Sequence, residues 1–303
     1  MDQLFQRSEA SERAAWESLY AGVTPTLRRE LGLERVALAG GTLLSASEID
    51  HPLLNRAIGL RPAPGAESAT VNHVAGHYTS RKVARFWVHL ACDQRRTSLP
   101  ELLKERGIVR YPRSWMKFAR RVEPMPPEDG APTASPAATA DGLEIGEILC
   151  QSFGIPAGAS ALFAASVVGA SWHFFVVRDA GVILAASALR IQGNDAYLAF
   201  AATRESARNT GCQRALMRAR IDLAARLGCT WVFTETGLPR PHEPNSSYRN
   251  MLRLGFDELC VRDNFAPEGT QWLSLPSSDA SERSIFYTAP SAKPAKGVGP
   301  SGS

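Results

Sequence analysis

A short polar loop between a predicted strand and a predicted helix most constrains how this chain can fold. Residues 208–216 read Arg-Asn-Thr-Gly-Cys-Gln-Arg-Ala-Leu, with an apolar run at 196–202 before them and a helical pattern at 215–227 after them. The first four N–H groups of a helix have no partner inside it, and the helix dipole adds positive charge there. Gly211 permits close backbone approach, so the loop predicts an anion site, most often for phosphate. A plain tight turn before a helix is the alternative.

The helix that follows the loop has an amphipathic pattern. Leu216, Ile221 and Leu227 recur at helical spacing and predict a buried stripe. The arginines at 214, 218 and 220 are expected to stay in solvent.

Length and charge narrow the class of protein. The chain has 303 residues, enough for two hydrophobic cores. A net charge of +4 is too small to indicate nucleic-acid binding. Apolar runs reach only about ten residues and no secretory signal follows Met1. We therefore expect no membrane span and a cytoplasmic protein.

Cysteine and histidine usage gives no sign of a disulfide framework or a metal site. The five cysteines are scattered and form no Cys-x-x-Cys pair, so we expect reduced, partly buried thiols. His73 and His77 would share a helix face, but no third ligand lies near in sequence. We expect no bound metal.

A proline-rich segment divides the chain. Residues 122–141 contain five prolines, which predicts a linker that joins neither a helix nor a sheet. We predict a first domain at 1–121, a second at 142–275 and a largely disordered tail at 276–303. Helices and antiparallel strands in both halves predict an α+β fold.

A second motif lies downstream of the loop. A predicted strand ends in Thr-Glu-Thr-Gly at 234–237, and a helix preceded by Asn245 ends in Leu-Gly-Phe at 254–256. With the 208–216 loop before them, in this order and spacing, these elements make residues 172–265 resemble the GNAT superfamily of acyl-CoA N-acyltransferases.

The resemblance implies a fold for both halves. Each would be a GNAT-like unit with a mixed, largely antiparallel sheet flanked by helices. In the second unit the strands at 196–202 and 230–235 would splay apart. The first half resembles a degenerate copy without the loop, closed by a strand at 115–121. An unrelated α/β domain is the alternative for that half.

The resemblance also implies acetyl-CoA as a cosubstrate. Its pyrophosphate would lie on the loop amides, and backbone N–H groups of the 196–202 strand would hold the pantetheine and polarise the thioester carbonyl. The residues implied in cofactor binding are Leu198, Phe200, Ala202, Arg208, Asn209, Thr210, Gly211, Cys212, Gln213, Arg214, Asn245 and Asn250.

Two positions depart from the family pattern. Gln213 stands where Gly or Ala is common, so its side chain must point away from the phosphate. Met251 stands where the family often has a tyrosine general acid, and a thioether has no proton to give. Tyr248, one turn earlier on the same helix, is the candidate that is left for that role.

A carboxylate at the end of a strand is the first candidate for the base. An amine must lose a proton to attack, and Glu235 is placed to accept it or to orient the acceptor. A solvated or capping carboxylate is the alternative. His242 is a second possible base, with a solvated loop histidine as its alternative. Asn245 and Asn250 are expected to bind backbone or cofactor.

These features predict an N-acetyltransferase. It would transfer an acetyl group by direct attack to a primary amine of a small molecule or peptide, as a monomer or homodimer. The alternative is a non-catalytic acyl-CoA-binding sensor or scaffold, which Met251 suggests. A nucleotide-binding protein is disfavoured because no Gly-Lys-Ser/Thr follows the loop.

Overall fold

The computed structural model describes residues 2–125, 130–169, 171–241 and 245–270, along which helices and strands are interspersed. The helices are α1 (Asp2–Ala21), α2 (Pro25–Glu30), α3 (Glu67–Ser80), α4 (Leu99–Glu105), α5 (Gly142–Phe153), α6 (Ser160–Val167), α7 (Cys212–Arg226) and α8 (Ser246–Arg253). The strands are β1 (Leu33–Leu38), β2 (Gly41–Ala46), β3 (Arg56–Ile58), β4 (Trp87–Leu90), β5 (Ile108–Arg110), β6 (Trp115–Arg121), β7 (Ala134–Pro136), β8 (Trp172–Asp179), β9 (Val182–Gln192), β10 (Asp195–Thr203), β11 (Trp231–Gly237) and β12 (Asp257–Pro267).

The strands of the described part form one sheet. Its order is β1-β2-β3-β4-β12-β6-β11-β10-β9-β8-β7, and β5 pairs with the end of β12. Most neighbours are antiparallel, but β3 with β4 and β10 with β11 are parallel. A helix, α3 or α7, lies in the connection within each parallel pair, because parallel strands need a long crossover. A strand–helix–strand unit therefore occurs in each half, and the predicted mixed, largely antiparallel fold is confirmed.

The final strands of the two halves meet in the middle of the sheet. β6 was expected to close the first half, but it pairs with β11 on one side and β12 on the other. β12 continues beyond β6 and pairs with β4 of the first half. Each half therefore completes its hydrogen bonding with a strand of the other. The boundaries at 121 and 142 stay a prediction.

The expectation that residues 122–141 join no sheet is wrong. β7 pairs antiparallel with β8, with Ser135 opposite Val176. β7 is the edge strand, and an edge strand tolerates proline because one row of its backbone groups has no neighbour to bond. Residues 126–129 of this segment, and the predicted tail at 276–303, lie outside the described residues.

Helices cover both faces of the sheet. Trp16 of α1, Ile148 of α5 and Phe163 of α6 belong to one hydrophobic cluster, which we call the α1 face. On the opposite face, α3 and α4 cover the first half and α7 and α8 the second. Adjacent residues of a strand point to opposite faces, so Leu44 lies in the α1 cluster and Leu43 in the other. Helix α1 also contacts β10 and β11, so the first half covers the second half's parallel strands.

The expectation of five reduced thiols is also wrong. Cys92 and Cys260 form a disulfide with a Cα–Cα distance of 6.2 Å, while Cys150, Cys212 and Cys229 are free and buried. The bond joins the start of a 3₁₀ turn in the first half to β12 in the second. The partners lie 168 residues apart, so only the fold brings them together. Disulfides favour oxidising compartments, and the cytoplasmic location stays an untested prediction.

Candidate active site

Strands β10 and β11 pair at their start and then separate. Residues 195–197 pair in parallel with residues 231–233. Next, Thr234 Oγ1 donates to Leu198 O at 3.1 Å, and the register between the strands ends although β10 runs to Thr203 and β11 to Gly237. This is the expected splayed pair. The gap opens at the carboxyl ends of two parallel strands, where open α/β sheets bind ligands.

A bulge in β10 lies beside this gap. Residues 200 and 201 both stand opposite Ser187 of β9, and Phe200 has a φ of 47°. A bulge takes backbone groups out of the ladder between β9 and β10. It also places Phe200 on the α1 face with Tyr197, where its ring contacts Trp16 with centroids 5.2 Å apart.

A buried arginine holds the bulge. Arg220 of α7 is 2% exposed, and its Nη1 donates to Ala188 O at 3.0 Å and to Ala199 O at 3.2 Å. The expectation that Arg220 stays in solvent is therefore wrong. Burial lowers the pKa of Arg220 to about 9, so the guanidinium is still charged at neutral pH. The bulge carbonyl accepts a charged donor, which favours this backbone shape.

The loop leads into α7 without a side-chain cap. Asn209 and Gly211 both have left-handed backbone, with φ of 64° and 87°. Among the described residues no side chain caps the first turn of α7. Thr210 Oγ1 turns back to Ala207 O at 2.7 Å, and Arg208 Nη1 lies 3.9 Å from Glu205 Oε1. The start of α7 thus has no side-chain cap from its N-cap residue, and the anion site there stays a prediction.

The loop is closely packed on both its outer and inner sides. A Cβ placed on Gly211 would lie 3.3 Å from Pro132 Cδ, so the proline-rich segment packs directly against the loop. Cys212 is buried, with its Sγ 3.2 Å from Thr210 Oγ1. The cysteine side chain fills the loop interior.

Gln213 and both candidate asparagines connect α7, α8 and β11. Gln213 Nε2 donates to Ser247 Oγ at 2.6 Å, and its Oε1 accepts from Asn250 at 2.8 Å. Asn245 caps α8 by accepting from the Tyr248 N–H at 3.0 Å, and it donates to Gly237 O at 2.6 Å. The amide at 213 therefore points to α8. Asn245 thus binds backbone, as expected, whereas Asn250 binds the side chain of Gln213.

Glu235 lies in a buried ionic cluster on the α1 face. We call this the junction cluster: Glu9 and Glu12 of α1, Arg56 of β3, Lys117 of β6, Glu235 of β11 and Arg262 of β12. Glu235 Oε2 lies 2.8 Å from Arg262 Nη2 and 3.9 Å from Lys117 Nζ. Glu12 pairs with both cations. These groups come from both halves, so the cluster forms only when the halves assemble.

The environment of Glu235 favours a neutral side chain. Burial raises the pKa of Glu235 to about 7; the Glu12 carboxylate adds to the rise, and Arg262 and Lys117 oppose it. Although burial also acts against the Glu12 carboxylate, Arg262 and Lys117 hold the pKa of Glu12 well below its usual range. The Glu12 carboxylate is thus fixed as an anion, and Glu235 can exchange a proton near neutral pH.

The candidate acid lies on the opposite face. Tyr248 Oη donates to Glu258, and the Tyr248 ring contacts Phe118 with centroids 5.1 Å apart. Phe118 and Lys117 are adjacent in β6, so Tyr248 and Glu235 lie on opposite sides of the sheet. Burial, together with the bond to Glu258, raises the pKa of Tyr248 to about 12. Met251 is buried in the core beneath α8.

Solved structures match most of the chain. A GCN5-related N-acetyltransferase from Kribbella flavida has a TM-score of 0.58, with 17% identity over 78% of this chain and 90% of that one. A GCN5-related N-acetyltransferase from Sphaerobacter thermophilus has a TM-score of 0.56, with 16% identity over 85% and 91%. The chain has the GNAT fold.

A tandem member is among the similar structures. A tandem GNAT protein from the clavulanic acid biosynthesis pathway has a TM-score of 0.53, with 12% identity over 75% of this chain and 77% of that one. No family model and no curated protein matches the sequence. At these identities the likeness shows the fold, while substrate and chemistry belong to the proposals below.

Sequence reasoning missed most residues of the junction cluster. Lys117 and Arg262 stand in predicted strands, where a charged side chain usually faces solvent. Glu9 and Glu12 stand in a predicted helix, where acidic residues usually lie on the solvent-exposed face. The two acidic residues have helical spacing, and the two cations lie within strands. They indicate an ionic cluster only once the strands are known to be neighbours. His242 lies outside the described residues.

Two features are absent from the residues that the structure describes. No group of three metal-ligating side chains there could hold a metal ion. No helix there is long and apolar enough to cross a membrane.

Proposed function

We propose that this protein is an acyl-CoA-dependent N-acetyltransferase whose acceptor is a primary amine of a small molecule or peptide. The observation that carries the proposal is that one segment holds, in chain order, the β10–β11 gap, the bulge at Phe200 and a start of α7 without a side-chain cap. A thioester arm needs an opening in the sheet, and a diphosphate needs unpaired amides. The separation of the strands and the left-handed loop residues support placing both groups on this strand–loop–helix segment.

In the proposed complex the chain holds acetyl-CoA by its backbone. Amides of Asn209 to Arg214 would bind the pyrophosphate, with Arg208 near. Backbone groups of Leu198, Phe200 and Ala202 would bind the pantetheine, and N–H groups at the bulge would polarise the thioester carbonyl. Asn245 and Asn250 would act by fixing α8 beside the loop. Acetyl-CoA supplies the activated acyl group.

Glu235 would act on the acceptor as the base. Its carboxylate would take a proton from the ammonium, and the free amine would attack the carbonyl carbon, forming a C–N bond while the C–S bond breaks. The nitrogen would then release its second proton to solvent to give the amide. The Glu235 pKa of about 7 suits this exchange near neutral pH. Tyr248, which its raised pKa keeps protonated, is the candidate that returns a proton to the thiolate.

One observation favours the second candidate function, an acyl-CoA sensor without turnover. Met251 replaces the usual acid, and the hydroxyl of Tyr248 is bonded to Glu258. A sensor would bind acetyl-CoA and release no thiol.

Thiol release from acetyl-CoA across a library of primary amines separates the two. We expect calorimetry to show saturable CoA binding, and thiol to appear with at least one amine and not without it. CoA binding with no release for any amine would support the sensor. Absence of CoA binding would contradict both.

A further inference from the structure

The first half contains a cavity at its own pair of parallel strands. β3 and β4 pair at residues 56–57 and 87–88 and then separate, as β10 and β11 do. A cavity of about 110 Å³ lies beyond them, lined by Gly59–Arg61 after β3 and by Ala91 after β4. One water occupies ~30 Å³ in the liquid, so a small molecule can fit. The cavity lies at the same edge, relative to its strands, as the gap in the second half.

One face of α1 forms the opposite wall. Gln6, Glu9, Ala10 and Arg13 recur at helical spacing and all line the cavity. Glu9 is 7% exposed, and its buried Oε1 accepts no hydrogen bond, although Lys117 Nζ lies 2.6 Å away as an ion pair. Lys117 already supplies this oxygen with an ammonium partner, so Glu9 contributes to the wall the negative charge of a nearly buried carboxylate.

The backbone around the cavity is already bonded. Gln94 donates to Leu60 O and accepts from the Ala91 N–H, and the Arg61 N–H donates to Ala39 O. A ligand must therefore use side chains. The Arg13 Nη1 donates to Gly40 O, which anchors a guanidinium that has four other N–H donors, and Arg61 adds positive charge beside its pair with Asp93.

We propose that this cavity binds a small zwitterion of the amino-acid type, with its ammonium group on Glu9 and its carboxylate on Arg13. A carboxylate attracts an ammonium, and a planar guanidinium suits a carboxylate. Two groups of opposite charge in one small cavity favour a ligand that carries both.

This site is separate from the acyl site. Four strands, β4, β12, β6 and β11, lie between the two gaps in the sheet. The junction cluster connects them, because Lys117 contacts both Glu9 and Glu235. The ligand is therefore an additional one, and its binding does not depend on the acetyltransferase proposal.

The test is an NMR titration of the protein without acetyl-CoA, using glycine and alanine as probes and propylamine and propionate as single-charge comparisons. We expect glycine or alanine to bind saturably, and each comparison compound at least about tenfold more weakly. Glu9→Gln removes the charge with little change of shape, and Ala10→Met fills the cavity without touching a charge. Each should weaken binding at least about tenfold. Glu17→Gln, an acidic residue of α1 outside the cavity, should leave binding unchanged.

Several results would overturn the site. The first is that neither glycine nor alanine binds saturably. The second is that propionate or propylamine binds as tightly as they do. The third is that the wild type and Ala10→Met bind equally well. If Glu9→Gln does not fold, as judged by its thermal transition, Ala10→Met decides.

Discussion

At the scale of single residues, the most informative side chains are charged ones that the fold buries. Arg220 and Glu235 are both buried. Arg220 bonds backbone carbonyls, and the charges around Glu235 help to set its protonation state. Both came from helix or strand positions whose local pattern is compatible with solvent exposure. Their roles therefore depend on neighbours that are distant in sequence.

Glu235→Gln tests the base. Because a base must be ionised, kcat of the wild type should rise as pH increases through about 7, the pKa to which burial raises Glu235. The amide cannot accept the proton, so kcat should fall by ~10²–10⁴-fold and lose this pH dependence, with CoA affinity unchanged. Initial rates from pH 5.5 to 9 measure it.

Glu205→Gln is the control for that experiment, since the Glu205 side chain is 74% exposed beside the loop. It should keep the wild-type profile. An unchanged profile in Glu235→Gln would remove Glu235 from the reaction.

Arg220→Met tests the support of the bulge. The variant keeps an apolar stem but leaves two buried carbonyls without their donor, so we expect a loss of about 2–4 kcal/mol in the free energy of unfolding and weaker CoA binding. Arg226→Met, exposed on the same helix, should change stability by less than about 0.5 kcal/mol. Urea titration and calorimetry give both quantities, and equal stabilities would contradict the support role.

At the scale of elements, the strand–loop–helix segment from β10 to α7 was predictable because its signals are local. Gly211 marks the left-handed residue before the helix, and the apolar run before it marks the strand. The bulge was not predictable, since residues 196–202 read as an uninterrupted strand. Nor was β7, whose single proline, Pro136, is tolerated because the strand lies at the sheet edge.

Gly211→Asp tests the loop as an element. The side chain would place a negative charge at the helix start, so CoA affinity in calorimetry should fall at least about tenfold. Gly193→Asp is matched to it, because Gly193 is also left-handed, with φ of 55°, and has nothing within 4 Å of its added Cβ. A similar loss in both variants would mean that backbone strain, and not the phosphate site, explains the effect.

At the scale of the whole molecule, the halves are joined by exchanged strands, the junction cluster and a disulfide. β6 and β12 each pair across the boundary, and Glu12 connects α1 to cations of β6 and β12. The candidate base Glu235 thus takes one of its two cationic partners, Lys117, from the first half and the other, Arg262, from the second. The first half is therefore part of the support of the candidate site.

The Cys92–Cys260 bond should stabilise the assembled halves. Cross-linking residues that lie 168 apart restricts the unfolded chain strongly, so reduction or Cys260→Ser should lower the free energy of unfolding by about 2–5 kcal/mol. Reductant should have no further effect on Cys260→Ser. Thiol titration in denaturant should count three free thiols before reduction. Five free thiols in the untreated protein would contradict the bond.

The sequence by itself determined the features that short segments encode: the loop amides at the start of α7, the helix and strand order, and the departures at Gln213 and Met251. Backbone propensities, glycine conformation and apolar periodicity act over a few residues, so they can be read from the chain. Only the tertiary structure decided which strands exchange, which cysteines bond, and that Glu235 shares a proton-active cluster with Lys117 and Arg262. Those outcomes depend on burial and charge contributed from both halves, which no local pattern contains.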